Sequence, residues 1–551
     1  MPIPIHRCVS LILVTGLALT TACADRSDAP YAVETLVTGG PLHSPNGITF
    51  GPDGMLYVGS VAAQTIHRVD VSTGAVEVVV PAPDGEADDI AFAPDGTLVW
   101  TALIAGEIRA LRADGSIATV IANKALINPL YFTTDGRLFA AQKGFDRLYE
   151  IDFESAIAGT QAATQEPRLV ASKMGDINSF EIAADDTLYA PLSNIGTVAR
   201  IDIETGVVTP IAENLGKVIA VNLDSRGQIW AIDLALGHLW RIDPDTGDAQ
   251  IIATTEAPVD NLAIGADDAV YISRTAASAI IRVDPDTGLQ SVIVPGNFAL
   301  VGGLASMMYQ GREALLVADS YGYRIVDTQT GEVTTPFNIT DVGFPNAASD
   351  VAVNDEFLAL TDMVTRPRVF LVDRADYKTV ATWKNIDAPA GVVLQDNGDP
   401  IVADFATGRI IGLHRADRHQ HDILADGLAG PVGLVWAGPG AVYVSEALAG
   451  TLVRIKLDDG SKVIIAKGLA QPEGLLLMAD GRIAVVEVGQ RQLIAVDPAT
   501  GEVEVLATDL PVGERAAGAP APVYVPSGVA QGADGSLYLT GDRNNSILKL
   551  N

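Results

Sequence analysis

Five residues with oxygen-bearing side chains occupy one equivalent position in the first half of this 551-residue chain. Each stands just before a short apolar run: Asn46, Asp88, Asn128, Asn178 and Asp260. Hard cations such as Ca²⁺ take about six to eight oxygen ligands, and two carboxylates with three amides would supply both charge and oxygens. If the fold brings them to one point, these residues predict a Ca²⁺ site, with Zn²⁺ or Mg²⁺ as alternative ions. The other interpretation is that Asn and Asp merely begin turns here.

A repeated unit of about 40 to 50 residues runs through the chain after residue 30. Each unit holds short apolar runs separated by polar turns, and its second run is of the type seen at Leu56-Tyr57-Val58. In six units the third run ends in a D-x-x-T-G turn such as Asp70 to Gly74. Four short strands per unit are typical of a β-propeller blade. Because first strands start beside the propeller axis, we expect the five oxygen-bearing residues to converge there.

Twelve such units exceed the roughly four to eight blades of one propeller. The sequence therefore predicts an all-β fold of two tandem six-bladed β-propellers, covering residues 31–288 and 289–551. The last unit stops at its third strand, and spare strand segments lie at 33–37 and 290–294. We expect 33–37 to close the sixth blade and 290–294 the twelfth, so that each propeller is closed by its own N-terminal strand. One open or giant ring is the alternative.

The equivalent position in the second half carries neither Asn nor Asp. It holds Gly302, Ser349, Ala390, Val432, Glu473 and Ser527. Turn chemistry would act equally in both halves, so this contrast favours a metal site in the first half. Glu473 is the best single polar candidate in the second half. Acidic residues that end second strands there, such as Asp319 and Asp404, are interpreted as acceptors for loop backbone N–H groups.

The first six units resemble the six-bladed propellers of the regucalcin/gluconolactonase, paraoxonase and squid-type phosphotriesterase group. Pro45-Asn46-Gly47 is similar to the Pro-Asn-Gly ligand motif of that group, and Asn128 and Asn178 are similar in placement. The family's Glu ligand is matched only by Asn46 or Asp260, and a family Asp falls on Ile219. The resemblance implies an axial Ca²⁺ or Zn²⁺ held by residues of several blades. The whole chain also resembles NHL-type repeats, as in Val317-Ala318-Asp319, which specify only the fold.

A metal ion at the axis would polarise a lactone or ester carbonyl, or a phosphoryl oxygen, and stabilise the oxyanion that forms. Asp260 or Asp88 would then activate water or attack directly. His43 is a further candidate as a proton shuttle, against the alternative of an exposed loop histidine. Three residues at the ends of second strands are pocket-lining candidates, or else hydrogen-bonding partners between blades: Gln142, Asp233 and Arg274.

The composition and the N-terminus predict an exported protein. A formal net charge of −32 argues against nucleic acid and anionic lipid as partners. Residues 1–24 read as a signal peptide, with an apolar run from Cys8 to Leu19 before Thr20-Thr21-Ala22-Cys23. This end resembles a bacterial lipobox, which implies a lipid anchor at Cys23 and a periplasmic or outer-membrane location. Soluble secretion is the alternative, and in either case the mature chain forms no disulfide.

Two functions from different classes fit these features. The first is an exported Ca²⁺-dependent hydrolase of the gluconolactonase or arylesterase type, acting on a lactone or ester at the axis of the first propeller. The second is a non-catalytic envelope binding protein or scaffold whose propeller faces bind a protein or carbohydrate, with any metal only tying blades together.

Overall fold

The computed structural model describes residues 31–160, 162–336, 348–363, 367–514 and 526–551. The predicted signal peptide and Cys23 lie outside these residues. Nearly all regular structure is β, arranged within the described ranges as twelve four-stranded antiparallel sheets, the architecture of β-propeller blades. One short helix, α1 (Phe153–Ile157), and one 3₁₀ turn (Thr275–Ala277) interrupt the strands. No helix in the described ranges is long and apolar enough to cross a membrane.

The first described strand is β1 (Val33–Val37). The next 24 strands form sheets 1 to 6, four consecutive strands to each sheet. Their bounds are β2 Ile48–Phe50, β3 Leu56–Ser60, β4 Thr65–Asp70, β5 Ala75–Val80, β6 Ile90–Phe92, β7 Leu98–Ala102, β8 Glu107–Leu111, β9 Ile117–Ile121, β10 Ile127–Phe132, β11 Leu138–Gln142, β12 Arg147–Ile151, β13 Arg168–Ser172, β14 Glu181–Ile182, β15 Thr187–Leu192, β16 Thr197–Asp202, β17 Val208–Ala212, β18 Val218–Leu223, β19 Ile229–Asp233, β20 His238–Ile242, β21 Ala249–Thr254, β22 Leu262–Ile264, β23 Val270–Arg274, β24 Ala279–Val283 and β25 Gln290–Val294.

Sheets 7 to 12 follow in the same order, except that the outer strand of sheet 12 is β1. Their bounds are β26 Val301–Tyr309, β27 Arg312–Asp319, β28 Gly322–Asp327, β29 Val333–Thr334, β30 Asp350–Val353, β31 Phe357–Asp362, β32 Arg368–Asp373, β33 Thr379–Trp383, β34 Pro389–Leu394, β35 Pro400–Asp404, β36 Arg409–Leu413, β37 His421–Ala425, β38 Pro431–Trp436, β39 Ala441–Glu446, β40 Thr451–Lys456, β41 Lys462–Lys467, β42 Pro472–Leu477, β43 Ile483–Glu487, β44 Gln492–Val496, β45 Val503–Ala507, β46 Val529–Gln531, β47 Leu537–Gly541 and β48 Ser546–Leu550.

The sheets contact one another in two closed series. In the first series, sheets 1 to 6 touch through their first strands in order, and β2 of sheet 1 also contacts β22 of sheet 6. In the second series, sheets 7 to 12 do the same, and β26 of sheet 7 contacts β46 of sheet 12. The apolar core lies between neighbouring sheets, and one buried cluster joins sheets 1 and 6 through residues such as Leu56 and Tyr271. Burial between sheets is therefore what closes each series.

The expected closure of each half by its own N-terminal strand is wrong. Strand β25 (Gln290–Val294) pairs with β24 of sheet 6, from which a short turn separates it, and β1 (Val33–Val37) pairs with β48 of sheet 12. A short hairpin closes at little entropic cost, so sheet 6 is completed locally, and β1 pairs with the free edge of β48. The domain bounds 31–288 and 289–551 stay a prediction, while these pairings place 290–294 with the first series and 33–37 with the second.

Each of the six D-x-x-T-G turns docks its sheet on the outer strand of a neighbouring sheet. Gly74 of sheet 1 has φ +74°, and a Cβ there would lie 2.5 Å from the Ile293 carbonyl oxygen of β25. Gly331 of sheet 7 has φ +72°, and a Cβ there would lie 2.5 Å from the Leu36 carbonyl oxygen of β1. Both the left-handed backbone and the close approach require glycine. The turn of sheet 1 therefore packs on β25 in the same way that the turn of sheet 7 packs on β1.

Candidate functional site

The backbone places the predicted site residues at the start of each sheet. The N–H of Asn46 donates to Gly59 O at 2.8 Å, that of Asp88 to Thr101 O at 3.0 Å, and that of Asp260 to Ser273 O at 3.1 Å. Each acceptor lies at or just before the end of a second strand. The first strand therefore begins where the second ends, at the mouth of the first series. These bonds use only the backbone, so they do not by themselves require Asn or Asp.

Three of the five predicted residues, one amide and two carboxylates, interact with one another. The Nδ2 of Asn46 donates to Asp260 Oδ2 at 3.5 Å, and Asp88 and Asp260 lie close enough for their charges to be coupled. Burial, together with the Asp260 charge, raises the pKa of Asp88 to about 7, partly offset by the positive charge of Lys143. Burial also raises the pKa of Asp260, against the opposing influences of Lys143 and Asn46.

The two remaining residues, Asn128 and Asn178, contact each other and the neighbouring sheet. The Nδ2 of Asn128 donates to Asn178 O at 3.4 Å, and the Nδ2 of Asn178 donates to Ile219 O at 3.4 Å. Asn178 Oδ1 accepts a hydrogen bond from Lys143 Nζ. The positive charge of Lys143 also acts on Asp88 and Asp260. We name the five predicted residues and this lysine the axial cluster (Asn46, Asp88, Asn128, Asn178, Asp260 and Lys143).

Sequence reasoning missed Lys143 and Tyr321. Lys143 directly follows β11, and its position after Gln142 at the mouth was the available signal. Tyr321 comes from the second series, in the turn between β27 and β28, and its hydroxyl is within electrostatic range of Asp260 and Asp88. Burial and the Asp260 charge raise the pKa of Tyr321, so its hydroxyl stays protonated and can donate. Nothing in the repeat pattern places a second-half residue here.

The cluster does not fit Ca²⁺ as its side chains are arranged. Asn46 Oδ1 accepts the Val61 N–H at 3.1 Å, and Asn178 Oδ1 accepts from Lys143. The two carboxylates and Asn128 Oδ1, which is buried without a hydrogen-bond partner, leave at most about five side-chain oxygens, so water or backbone carbonyls would have to supply the rest of the six to eight that this ion takes. In the described ranges, no three or more His, Cys, Asp or Glu side chains are grouped to hold a metal. An ammonium group already supplies positive charge at this point.

His43 is buried rather than exposed. Its Nε2 lies 2.9 Å from the carbonyl oxygen of Asp542 in sheet 12, to which the Nε2–H donates. Burial lowers the pKa of His43 to about 4, and burial with the charge of His43 does the same to His67. His43 is thus neutral at pH 7 and links the two series; its predicted role as a proton shuttle stays a prediction.

The other pocket candidates have different surroundings. Gln142 donates to Ala125 O at 2.8 Å, and Asp233 accepts backbone N–H groups of its own loop, including Ala235 N at 2.8 Å. Arg274 lines a cleft between the two series. In the second series, Glu473 is buried and accepts the Ser527 N–H at 2.9 Å. Gln142, Asp233 and Glu473 therefore have hydrogen-bond partners within the fold.

The second-strand acids of the second series cap loop backbone. Asp319 accepts the N–H groups of Ala299 at 3.0 Å and Leu300 at 2.8 Å, and Asp404 accepts that of Ala388 at 2.9 Å. Glu446 accepts the Ala429 N–H at 2.8 Å. These bonds agree with the sequence interpretation that such acids satisfy loop N–H groups.

Comparison with known proteins finds structural similarity only. No family model matches the chain, and no curated protein matches it. A solved structure of streptogramin B lyase is 17% identical over 55% of this chain and 96% of its own, with a TM-score of 0.37. Virginiamycin B lyase from Staphylococcus aureus is 16% identical over 52% and 96%, with a TM-score of 0.38. The extracellular domain of a one-component system from B. thetaiotaomicron is 12% identical over 94% and 82%, with a TM-score of 0.33. Similarity at this level assigns no activity to the chain.

Proposed function

We propose that this protein is an exported hydrolase of the lactonase or esterase type, with its site at the axis of the first of two tandem six-bladed propellers. The observation that carries the proposal is the axial cluster itself, in which the charges of Asp88, Asp260 and Lys143 act on one another, with the Tyr321 hydroxyl within their electrostatic range. Coupled, buried ionisable groups that converge at a mouth are typical of functional sites. The two closed series of sheets support the division into two propellers.

The chemistry follows from the charges of the cluster. In its ionised form Asp88 takes a proton from water as the water oxygen bonds to the substrate's carbonyl carbon. Lys143 and Tyr321 donate hydrogen bonds to the oxyanion that forms. When the carbon–oxygen bond to the leaving group breaks, the Asp88 carboxyl returns the proton to the departing oxygen. Burial, together with the Asp260 charge, raises the pKa of Asp88 to about 7, where one group can serve as base and then as acid.

The calcium requirement stays a prediction. The side chains as arranged do not fit Ca²⁺ while Lys143 donates to Asn178, so the ion would have to displace the ammonium group. Assays with and without EDTA decide this point. Loss of turnover on chelation, restored by Ca²⁺, would favour the metal-dependent form of the proposal. Unchanged turnover would favour the Asp–Lys–Tyr form described above.

The test is an assay of the purified protein on a panel of lactones and aryl esters, with Asp88→Asn as the decisive variant. We expect kcat/KM to fall at least about 100-fold, since general acid–base groups contribute on this scale. Asp350→Asn is the matched control, because Asp350 is also a semi-buried acid beside a first strand but lies in the second series. It should change kcat/KM by less than about twofold. Full activity of Asp88→Asn, or no turnover anywhere on the panel, would overturn the proposal.

A second candidate function is favoured by a different observation. Exposed apolar side chains occupy the turns between second and third strands in four consecutive sheets of the first series: Ile104, Phe145, Ile195 and Leu236. They surround the same mouth as the axial cluster. A rim of this kind suits a protein or carbohydrate partner, as in the alternative of an envelope binding protein. Partner capture that survives Asp88→Asn but fails when Phe145 is replaced by Ser would favour binding over catalysis.

A further inference from the structure

A cleft of about 770 Å³ lies between the two series. Residues of sheets 5 and 6 and their loops line one side, including Glu256 and Arg274, and residues of sheet 7 line the other, including Tyr321 and Arg324. The cleft is large enough for a small molecule. It carries two guanidinium groups and one carboxylate among its lining residues.

Arg274 has an orientation suited to an incoming oxyanion. It ends β23, its side chain is only 16% exposed, and its Nη2 forms an ion pair with Glu256. The neighbouring Nε is buried and has no hydrogen-bond partner among the described residues. Nε and Nη2 together form the edge of a guanidinium that binds carboxylate or phosphate with two parallel hydrogen bonds. Half of this bidentate edge is therefore unused.

Glu256 is a weakly held partner for this edge. Its side chain is 76% exposed, so its ion pair with Arg274 is screened by water and costs little to break. Arg324 differs, because it is 5% exposed, pairs with the fully buried Asp319 at 3.0 Å, and donates to Ala276 O at 3.1 Å. Arg324 is thus committed to holding the two series together, and Arg274 is the guanidinium that can exchange its partner.

The cleft and the axial cluster share neighbouring residues. The carbonyl oxygen of Ser273, next to Arg274, accepts the backbone N–H of Asp260 at 3.1 Å. Tyr321 lines the cleft and is within electrostatic range of Asp260 and Asp88.

We propose that the cleft binds the oxyanion group of a small ligand, a carboxylate or a phosphate, on the Nε–Nη2 edge of Arg274 with displacement of Glu256. As far as it concerns turnover, the inference rests on the proposed hydrolase function: the substrate would be an ester or lactone that carries an anionic group. Both series would then contribute to one site, since Tyr321 reaches the first series from the second.

Binding is tested by calorimetry on the full protein with succinate, inorganic phosphate and the neutral analogue succinamide. We expect at least one anion to bind, and Arg274→Gln to weaken it about tenfold or more through loss of two charge-assisted bonds. Glu256→Gln should strengthen binding several-fold, because it removes the competing charge. Arg282→Gln is the matched control: Arg282 lies in the same sheet and pairs with Asp267, outside the cleft lining, and its loss should leave binding unchanged. The ratio of succinate to phosphate affinity identifies the type of oxyanion.

The opposite results overturn the inference. These are equal binding of succinamide, no binding of either anion, unchanged binding in Arg274→Gln, or unchanged or weaker binding in Glu256→Gln. Glu256 is exposed, so that variant folds even if Arg274→Gln does not.

Turnover separates this inference from the proposed function. On a matched pair of aryl esters with and without a terminal carboxylate, Arg274→Gln should raise the KM for the anionic ester about tenfold relative to the KM for the neutral ester. Asp88→Asn should abolish turnover of both esters while anion binding persists. If anions bind through Arg274 but no ester is turned over, the hydrolase proposal fails and the oxyanion site stands. If esters are hydrolysed with equal KM in wild type and Arg274→Gln, the oxyanion site has no part in the reaction.

Discussion

The axes of the two series share a backbone frame but differ in chemistry. The Asp88 N–H donates to Thr101 O at 3.0 Å in the first series, and the Ser349 N–H donates to Thr361 O at 2.7 Å in the second. At the first axis this frame presents coupled carboxylates and an ammonium group. At the second it presents Ala390 and Val432, which pack in a buried apolar cluster with residues such as Phe405. The repeat therefore fixes positions, and the side chains placed there decide whether an axis is a core or a site.

Links between neighbouring sheets are made partly by different residues in the two series. In the first, the amides of Asn128 and Asn178 donate to backbone carbonyls of the next sheet, and only between sheets 6 and 1 does a hydroxyl, Ser273 Oγ, donate instead, to Asn46 O at 2.8 Å, among the described residues. In the second, hydroxyls on second strands do this, as Thr361 Oγ1 donates to Ala390 O and Ser445 Oγ to Glu473 O, both at 2.7 Å. Part of the Asn pattern at the first axis is thus structural, whereas Asp88 and Asp260 are left for chemistry.

The largest expected effect on stability comes from removing β1, the strand that completes sheet 12. Removing residues 31–37 takes the outer strand from sheet 12 and leaves every sheet of the first series intact. We expect the second series to unfold separately, at a temperature at least about 10 °C lower. The reason is that the edge of β48 becomes exposed and the apolar contacts of Val37 are lost. Calorimetry would show two transitions in place of one. A single transition at the original temperature would contradict the role of β1 in the second series.

Adding a carboxylate to the second axis should lower stability, whereas removing one from the first axis should not. Ala390→Asp places an unpaired carboxylate in an apolar cluster and should lower the free energy of unfolding by about 3 kcal/mol or more at pH 7. Asp260→Asn removes one of two coupled buried acids and should leave the melting temperature unchanged or higher. Denaturant unfolding of both variants measures the difference. Equal destabilisation by the two changes would mean that the axes are not distinct environments.

Lys143→Gln should move the pH dependence of activity. Without the ammonium group, the positive charge that lowers the pKa of Asp88 is lost, so this pKa rises above about 7. The acidic limb of the kcat/KM profile should shift to higher pH by about one unit. The same variant frees Asn178 Oδ1 and should bind Ca²⁺ more tightly than wild type, measured as a larger thermal shift with the ion. Lys173→Gln, an exposed lysine in the same sheet, is the control.

The smallest expected effect is a pH dependence in the second series. Burial raises the pKa of Asp350 to about 7, although its carboxylate accepts the Val392 N–H at 3.0 Å. The folded state then binds this proton more tightly than the unfolded state, so the stabilisation is full below about pH 4 and is lost as the pH rises through 7. Asp350→Asn should therefore reduce the loss of stability between pH 4 and 7. Melting temperatures at several pH values test this, with the exposed Asp396→Asn as a control that keeps the wild-type slope.

Local patterns in the sequence predicted the four-stranded units and the convergence at the first axis, because both follow from short-range strand and turn signals. Asn46, Asp88 and Asp260 could be found because each stands at the same step of its repeat. The strand pairing that completes sheet 12 could not be predicted, because the strand 33–37 suits the edge of either half and only long-range pairing selects its partner. Lys143 and Tyr321 were missed for a related reason: a long side chain from a turn and a residue from the other half reach the axis through space.

The pairing of β1 with β48 sets the order in which the molecule can be completed. All strands of sheets 1 to 6 lie between residues 48 and 294, so those sheets take no strand from the chain that follows. Residues 33–37 find their partner only when residues 546–550 have been made. Because this pairing is so distant along the chain, the strand acquires its final hydrogen bonds only after nearly all of the second series is present. Proteolysis or stalling before the last fifty residues would release a finished first half joined to an open second one.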